Sequence, residues 1–141
     1  MKRRVLVDTG PLVAILSSVD EHHAACVEAL HQLPGPLFSC WPVMTEAVWL
    51  LRFHPKAVQQ LLRSCSSGKP NSFLELLPLA GSEARAIADV MKDYEDIRPQ
   101  LADAALVYLA HREGIDTIFT LDRRDFAVYR SAEKRAFRIV P

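Results

Sequence analysis

Five short apolar runs, at residues 4–7, 37–40, 73–77, 117–121 and 137–140, constrain this chain more than any other feature. Each has the length and content of a buried strand, and helical segments stand between them. Strands that alternate with helices are the pattern of a mainly parallel sheet covered on both faces. The expected fold class is therefore α/β, a three-layer α/β/α domain with about five strands. At 141 residues, with no internal repeat and no linker long enough to divide it, the chain suits one domain spanning residues 1–141.

Turn and cap residues set the expected helices. Gly10 and Pro11 end the first strand, and Pro11 can open a helix because its missing N–H costs nothing there. Asp20 is the expected N-cap of a helix over residues 21–33, which Pro34-Gly35-Pro36 stops. Pro42 opens a helix to Phe53, and another covers residues 56–65. Residues 64–71 read as a loop. Ser82 is the expected cap of the next helix, and Pro99 opens the last, which Gly114 ends.

Composition removes several classes. Cys26, Cys40 and Cys65 are odd in number and form no Cys-x-x-Cys pair, so neither a zinc ribbon nor a disulfide framework is readable. Reduced thiols in a core-rich chain fit a cytoplasmic compartment. The apolar run after the basic start stops at Asp8, too short for a signal peptide, and no stretch of about 18 uncharged apolar residues suggests a membrane span. The 17 basic residues cancel the 17 acidic ones, which at first argues against a nucleic-acid partner. The charges are unevenly placed, however. Residues 122–138 hold six bases against three acids, whereas residues 75–103 hold seven acids against three bases.

Four carboxylates occupy comparable places in this scheme. Asp8 ends the first strand, and Glu46 lies in the first turn of the helix after the second. Asp103 lies in the first turn of the helix leading to the fourth strand, and Asp122 follows that strand. In open α/β sheets ligand sites gather outside the carboxyl ends of the strands, and helix N-termini there favour anionic side chains. Any one of these acids could simply complement a helix dipole or close an Asx turn. Four converging without countercharge would repel one another, and a hard divalent cation such as Mg²⁺ or Mn²⁺ removes that conflict.

The residues Val5-Leu6-Val7-Asp8-Thr9-Gly10-Pro11-Leu12, Thr45-Glu46-Ala47, Leu101-Ala102-Asp103-Ala104 and Thr120-Leu121-Asp122-Arg123-Arg124-Asp125-Phe126 resemble, in order and spacing, the PIN domains of VapC-type ribonuclease toxins. The resemblance covers essentially the whole chain. It implies an acidic quartet of Asp8, Glu46, Asp103 and Asp122 serving a metal-dependent endoribonuclease. Asp8 and Asp103 would be the principal Mg²⁺ (or Mn²⁺) ligands, with Glu46 and Asp122 completing the shell directly or through water. Thr9 would assist by hydrogen bonding or serve only the turn. Asp125 competes with Asp122 for the fourth place, and Asp122 is preferred as nearer the strand end. Gln100 stands where many relatives carry an acid, and Asp96 is peripheral. The resemblance further implies an RNA substrate, a cognate antitoxin and a homodimer.

Other residues carry weaker signals. Arg123, Arg124 and Arg130 are candidates to hold phosphates at the rim of the acidic cleft, or form a solvated face. His22 and His23 point about 100° apart on a helix, so a cap role near Asp20 is favoured over a metal pair. Trp41 and Trp49 are expected to pack at a helix–sheet junction in preference to stacking on bases, and the Leu/Ala stripe over residues 101–110 is core. A housekeeping nuclease or a non-catalytic RNA-binding domain are the nearest alternatives. A haloacid-dehalogenase-like phosphatase wants a second Asp where this chain has Gly10. A receiver-like module would need an acidic pair and a late Lys that are missing.

Overall fold

In the computed structural model, which describes residues 3–65, 69–70 and 72–141, the five apolar runs become five short parallel strands. They are β1 (Val5–Val7), β2 (Leu37–Ser39), β3 (Leu74–Leu76), β4 (Thr117–Phe119) and β5 (Arg138–Val140). Their order in the sheet is β3-β2-β1-β4-β5, with every pairing parallel. Strands β1 and β4, the innermost neighbours, are buried at every position. Their register sets Val5, Leu6 and Val7 opposite Thr117, Ile118 and Phe119. One step further along, it brings the residue after β1, Asp8, level with Thr120.

Among the described residues seven helices join the strands: α1 (Thr9–Leu16), α2 (His23–Gln32), α3 (Trp41–Leu50), α4 (Pro55–Arg63), α5 (Ala84–Asp93), α6 (Leu101–Glu113) and α7 (Arg123–Val128). Parallel crossovers are right-handed, so connections running outward from β1 through β2 to β3 cover one face. Those returning through β4 to β5 cover the other. The reversal falls between β1 and β4, where a doubly wound sheet opens its crevice. Beneath it, Leu6, Leu12, Leu37, Met44, Leu106 and Phe119 are fully buried. At Gly10, α1 faces the chain leaving β4, where a Cβ would make an ordinary contact 3.4 Å from Leu121 Cδ1.

Several expectations shift by a turn, each for a local reason. Helix α2 starts at His23, not Glu21, because Asp20 accepts the backbone N–H of His22 at 2.8 Å and closes a separate turn. The His23 ring meets the Ala14 carbonyl at 2.7 Å and takes no part in a cap with Asp20. Helix α3 stops at Leu50, short of Phe53. Ser82 falls inside a 3₁₀ turn (Gly81–Glu83) and caps nothing; Glu83 instead accepts the Ala80 N–H at 2.7 Å. The Tyr108 hydroxyl and the Arg112 guanidinium also donate to Glu83. These three bonds hold its carboxyl down at about 2. Gly114 ends α6 in the left-handed conformation at φ +67°, as its position suggests.

Three readings are overturned more fully. Trp41 and Trp49 are 61% and 63% exposed, so neither packs at a helix–sheet junction. Leu101, the first residue of the apolar stripe, is exposed, although most of the stripe behind it is buried. Helix α7 has no counterpart in the sequence reading; Asp122 creates it by capping. Part of the expected loop over residues 64–71, namely residues 66–68 and 71, lies outside the described residues.

Candidate active site

The end of β1 is fastened before any ligand is considered. The Asp8 N–H continues the sheet by donating to the Phe119 carbonyl at 2.9 Å. Its side chain, 8% exposed, accepts two hydrogen bonds. The Thr9 N–H donates to Oδ1 at 2.8 Å, which makes Asp8 the N-cap of α1, and the Thr120 hydroxyl donates to Oδ2 at 2.9 Å. The same hydroxyl accepts the Asp122 N–H at 3.0 Å, and Asp122 Oδ1 accepts the Asp125 N–H at 3.0 Å as the N-cap of α7. One chain of hydrogen bonds thus runs from Asp8 through Thr120 and Asp122 to Asp125.

Around these groups lies a cleft of about 540 Å³ lined by Asp8, Thr9, Gly10, Glu46, Leu50, Arg98, Gln100, Asp103, Leu121, Asp122 and Asp125. It therefore gathers all four acids singled out in the sequence, and Asp125 with them. Asp103 stands in the first turn of α6, as expected, with its Oδ2 accepting the Gln100 N–H at 3.4 Å. Glu46 sits in the second turn of α3, not the first. The helix dipole fades within one turn, so it contributes little at Glu46.

Charge density in the cleft is high and poorly compensated. Of the lining residues, Arg98 is the one cation against five carboxylates. Burial, and then the charge of Asp8, push the Asp103 carboxyl up to about 7, with Glu46 and Asp122 adding to the effect. Burial also raises Asp8, outweighing the bonds from Thr9 and Thr120, and the charge of Asp122 adds to it. Glu46 is raised by burial and by Asp8, and Asp125 by burial and by Asp122. In each case burial is the main cause and a neighbouring carboxylate adds to it. Cys40, fully buried nearby, is driven up to about 11 by burial and stays a thiol.

Two hydroxyls complete the local chemistry. Thr9 Oγ1 and the Tyr129 hydroxyl are buried and, among the described residues, find no hydrogen-bond partner. Thr9 lines the cleft, so an oxygen-bearing ligand there would give its proton an acceptor. Tyr129 is fully buried, and its hydroxyl is raised by burial and by the charges of Asp103, Asp125, Asp122 and Asp8. Among the described residues no three His, Cys, Asp or Glu side chains close into a ready-made metal cage. The donor set is nonetheless all oxygen. That suits an ion held by one or two carboxylates with water and substrate oxygens filling its shell, as Mg²⁺ prefers.

The arginines are placed differently from the expectation. Arg130 does not reach the cleft: its Nη1 donates to the carbonyls of Ala127, Val128 and Tyr129 at 2.7, 3.2 and 3.1 Å, closing the end of α7. Arg123 donates to the Pro141 carbonyl, and Arg124 is exposed on α7 outside the lining. Asp96 lies in an exposed 3₁₀ turn away from the cleft. Sequence reasoning passed over Thr120 and Arg98. Thr120 had a signal in the strand register, since it stands level with Asp8; Arg98 had none, because its entry depends on a left-handed backbone at φ +51°.

Comparison with known proteins agrees with this geometry. Residues 5–131 match the PIN domain family. The chain is 31% identical over 139 residues to ribonuclease VapC26 of Mycobacterium tuberculosis (strain ATCC 25618 / H37Rv), covering 97% of this chain and 100% of that protein. Among solved structures it is similar to Mycobacterium tuberculosis VapC20, a sarcin-ricin loop cleaving toxin. That match has a TM-score of 0.74 and 16% identity, over 85% of this chain and 91% of that one.

Proposed function

The chain belongs to the PIN domain family, and on that premise we propose that it is a metal-dependent endoribonuclease, the toxin of a toxin–antitoxin pair. The observation that carries the reading is the convergence of Asp8, Glu46, Asp103 and Asp122 on one cleft with a single cation beside them. The relationship to a ribonuclease over nearly the whole chain supports RNA as substrate.

Asp8 and Asp103 would hold Mg²⁺ or Mn²⁺, with Glu46 and Asp122 bound to it directly or through water. Asp125, hydrogen-bonded to Asp122, backs that fourth position. When bound, a divalent cation lowers the pKa of water and offsets charge on a scissile phosphate. The remaining work falls to the chain. Glu46, whose carboxyl is raised by burial and by the charge of Asp8, would take the proton of an attacking water. Thr9 Oγ1 donates to an incoming oxygen, and Arg98 meets the phosphate across the cleft. Attack on phosphorus with departure of the 3′ oxygen leaves a 5′-phosphate and a 3′-hydroxyl.

An antitoxin that covers the acidic cleft and a homodimer of the chain complete the proposal. Three free thiols fit a cytoplasmic setting, and among the described residues no helix is long and apolar enough to cross a membrane.

The direct test is cleavage of single-stranded RNA by the purified protein. Product should form with Mg²⁺ or Mn²⁺, vanish with EDTA and return when the ion is restored, while single-stranded DNA stays intact. Cleavage indifferent to chelation would sink the metal-dependent reading.

A substitution probes the fastening of the site. Thr120→Val keeps the shape but removes the hydroxyl that donates to Asp8 and accepts from Asp122. It should lower kcat about tenfold, the usual scale for groups that orient metal ligands. It should also cost about 1–2 kcal/mol of stability in urea, because the Asp122 N–H loses its acceptor. An unchanged kcat would remove Thr120 from the mechanism.

A further inference from the structure

Beyond the acids, the cleft is continued by an aromatic surface at the end of α3. Glu46, Trp49 and Leu50 lie three and four residues apart on α3 and so share one side of it, and Phe53 stands in the turn that follows. Glu46 and Leu50 line the cleft; Leu50, Trp49 and Phe53 are 51%, 63% and 77% exposed. Arg52 lies between the two rings. Its guanidinium carbon is 3.9 Å from the Trp49 ring centroid and 4.5 Å from that of Phe53, while Nη1 donates to the Trp49 carbonyl at 2.7 Å. Among the described residues Arg52 makes no salt bridge. Its charge is held in place by π faces and its own backbone.

Large aromatic rings left in water on a preorganised cation mark a contact surface. Its position beside the cleft identifies the occupant. Five carboxylates and one arginine offer little to a polyanion beyond the metal and the scissile phosphate itself, so groups flanking the reacting centre are needed to hold the neighbouring nucleotides. A cation beside two ring faces supplies a phosphate partner and surfaces on which unpaired bases stack. We propose that Trp49, Arg52 and Phe53 form a base-stacking platform that holds the unpaired nucleotides next to the scissile bond. This rests on the ribonuclease reading of the adjoining cleft and names how that site grips its substrate.

The two tryptophans of the chain, Trp41 and Trp49, permit a direct reading. In an Asp8→Asn, Trp41→Phe background, Trp49 is the sole fluorophore of its kind and the RNA stays uncut. Titration with a short single-stranded oligoribonucleotide should quench Trp49 with the same midpoint as the anisotropy of the labelled RNA. Trp49→Ala and Phe53→Ala should each weaken binding about tenfold, the low end of the known stacking effects, while Trp49→Phe stays within about threefold. The molar mass by light scattering should not change. RNA that fails to bind, RNA that binds without quenching, or an affinity untouched by Trp49→Ala would each overturn the platform. A halved mass with unchanged RNA affinity would give the face to a second copy of the chain and overturn it too. The two readings fail separately. Quenching by RNA in a wild-type protein that never cleaves refutes the nuclease alone, and cleavage with an unaltered KM in Trp49→Ala refutes the platform alone.

Discussion

Asp8→Asn should reduce RNA cleavage by about three orders of magnitude or more while leaving the fold intact. The carboxylate at this position is held by the Thr9 N–H and the Thr120 hydroxyl, so its direction is fixed before a metal arrives. Asparagine keeps the volume and one acceptor, which preserves the cap of α1, but it removes the negative charge. Metal-centred stabilisation is worth several kcal/mol, and each 1.36 kcal/mol is a factor of ten in rate. The unfolding midpoint should be equal to that of the wild type or higher, since burial already disfavours the charged form of Asp8. The measurement is single-turnover cleavage beside a circular-dichroism melt. Retention of a tenth of wild-type activity would remove Asp8 from the role of principal ligand.

Asp103→Asn should separate function from stability more sharply. In the folded, metal-free chain Asp103 keeps its proton up to about pH 7, against an ordinary value of 3.8. The folded state therefore binds more protons than the unfolded one between these limits, and stability falls as pH rises through that window. Asp8, Glu46 and Asp125 are raised as well and act in the same direction. Screening by solvent at the cleft mouth reduces the effect of Asp103 to about 2 kcal/mol between pH 5 and pH 8. In EDTA the wild type should lose at least that much over the interval, as measured by urea unfolding. Asp103→Asn should lose less than half as much and be the more stable protein at pH 8, yet fail to cleave. Added Mn²⁺ should raise the wild-type midpoint more at pH 8 than at pH 5.5, because the ion displaces a proton. Parallel pH profiles for the two proteins would refute this assignment of the pH dependence.

The same residues explain what was legible in the sequence. Strand positions followed from apolar runs because β1 and β4 are buried on both faces, with Thr117 the one polar side chain in either. The acids were visible because a charge within Leu-Ala-Asp-Ala-Ala or after Val-Leu-Val breaks a local apolar pattern. What escaped was decided by tertiary partners. Thr120 looks like any strand threonine until the register sets it against Asp8. Arg130 looks like a free cation until three carbonyls at the end of α7 claim it, and α7 itself depends on Asp122 turning back to cap Asp125. The tryptophans were misread because helical spacing says which residues share a face, not whether another element covers it.

The bond between Asp8 and Thr120 joins residues 112 positions apart. Asp8 leaves the ribosome long before its partners β4, Thr120 and Asp122. At synthesis rates of about 5–20 residues per second, the first strand waits several seconds beside the ribosome without the neighbour that completes the cleft. A chain interrupted before residue 120 carries Asp8, Glu46 and Asp103 but lacks the Thr120 hydroxyl that fixes Asp8, and the fourth acid, Asp122. By the proposed reading, a chain cut short there should cleave RNA far more slowly than the 141-residue one.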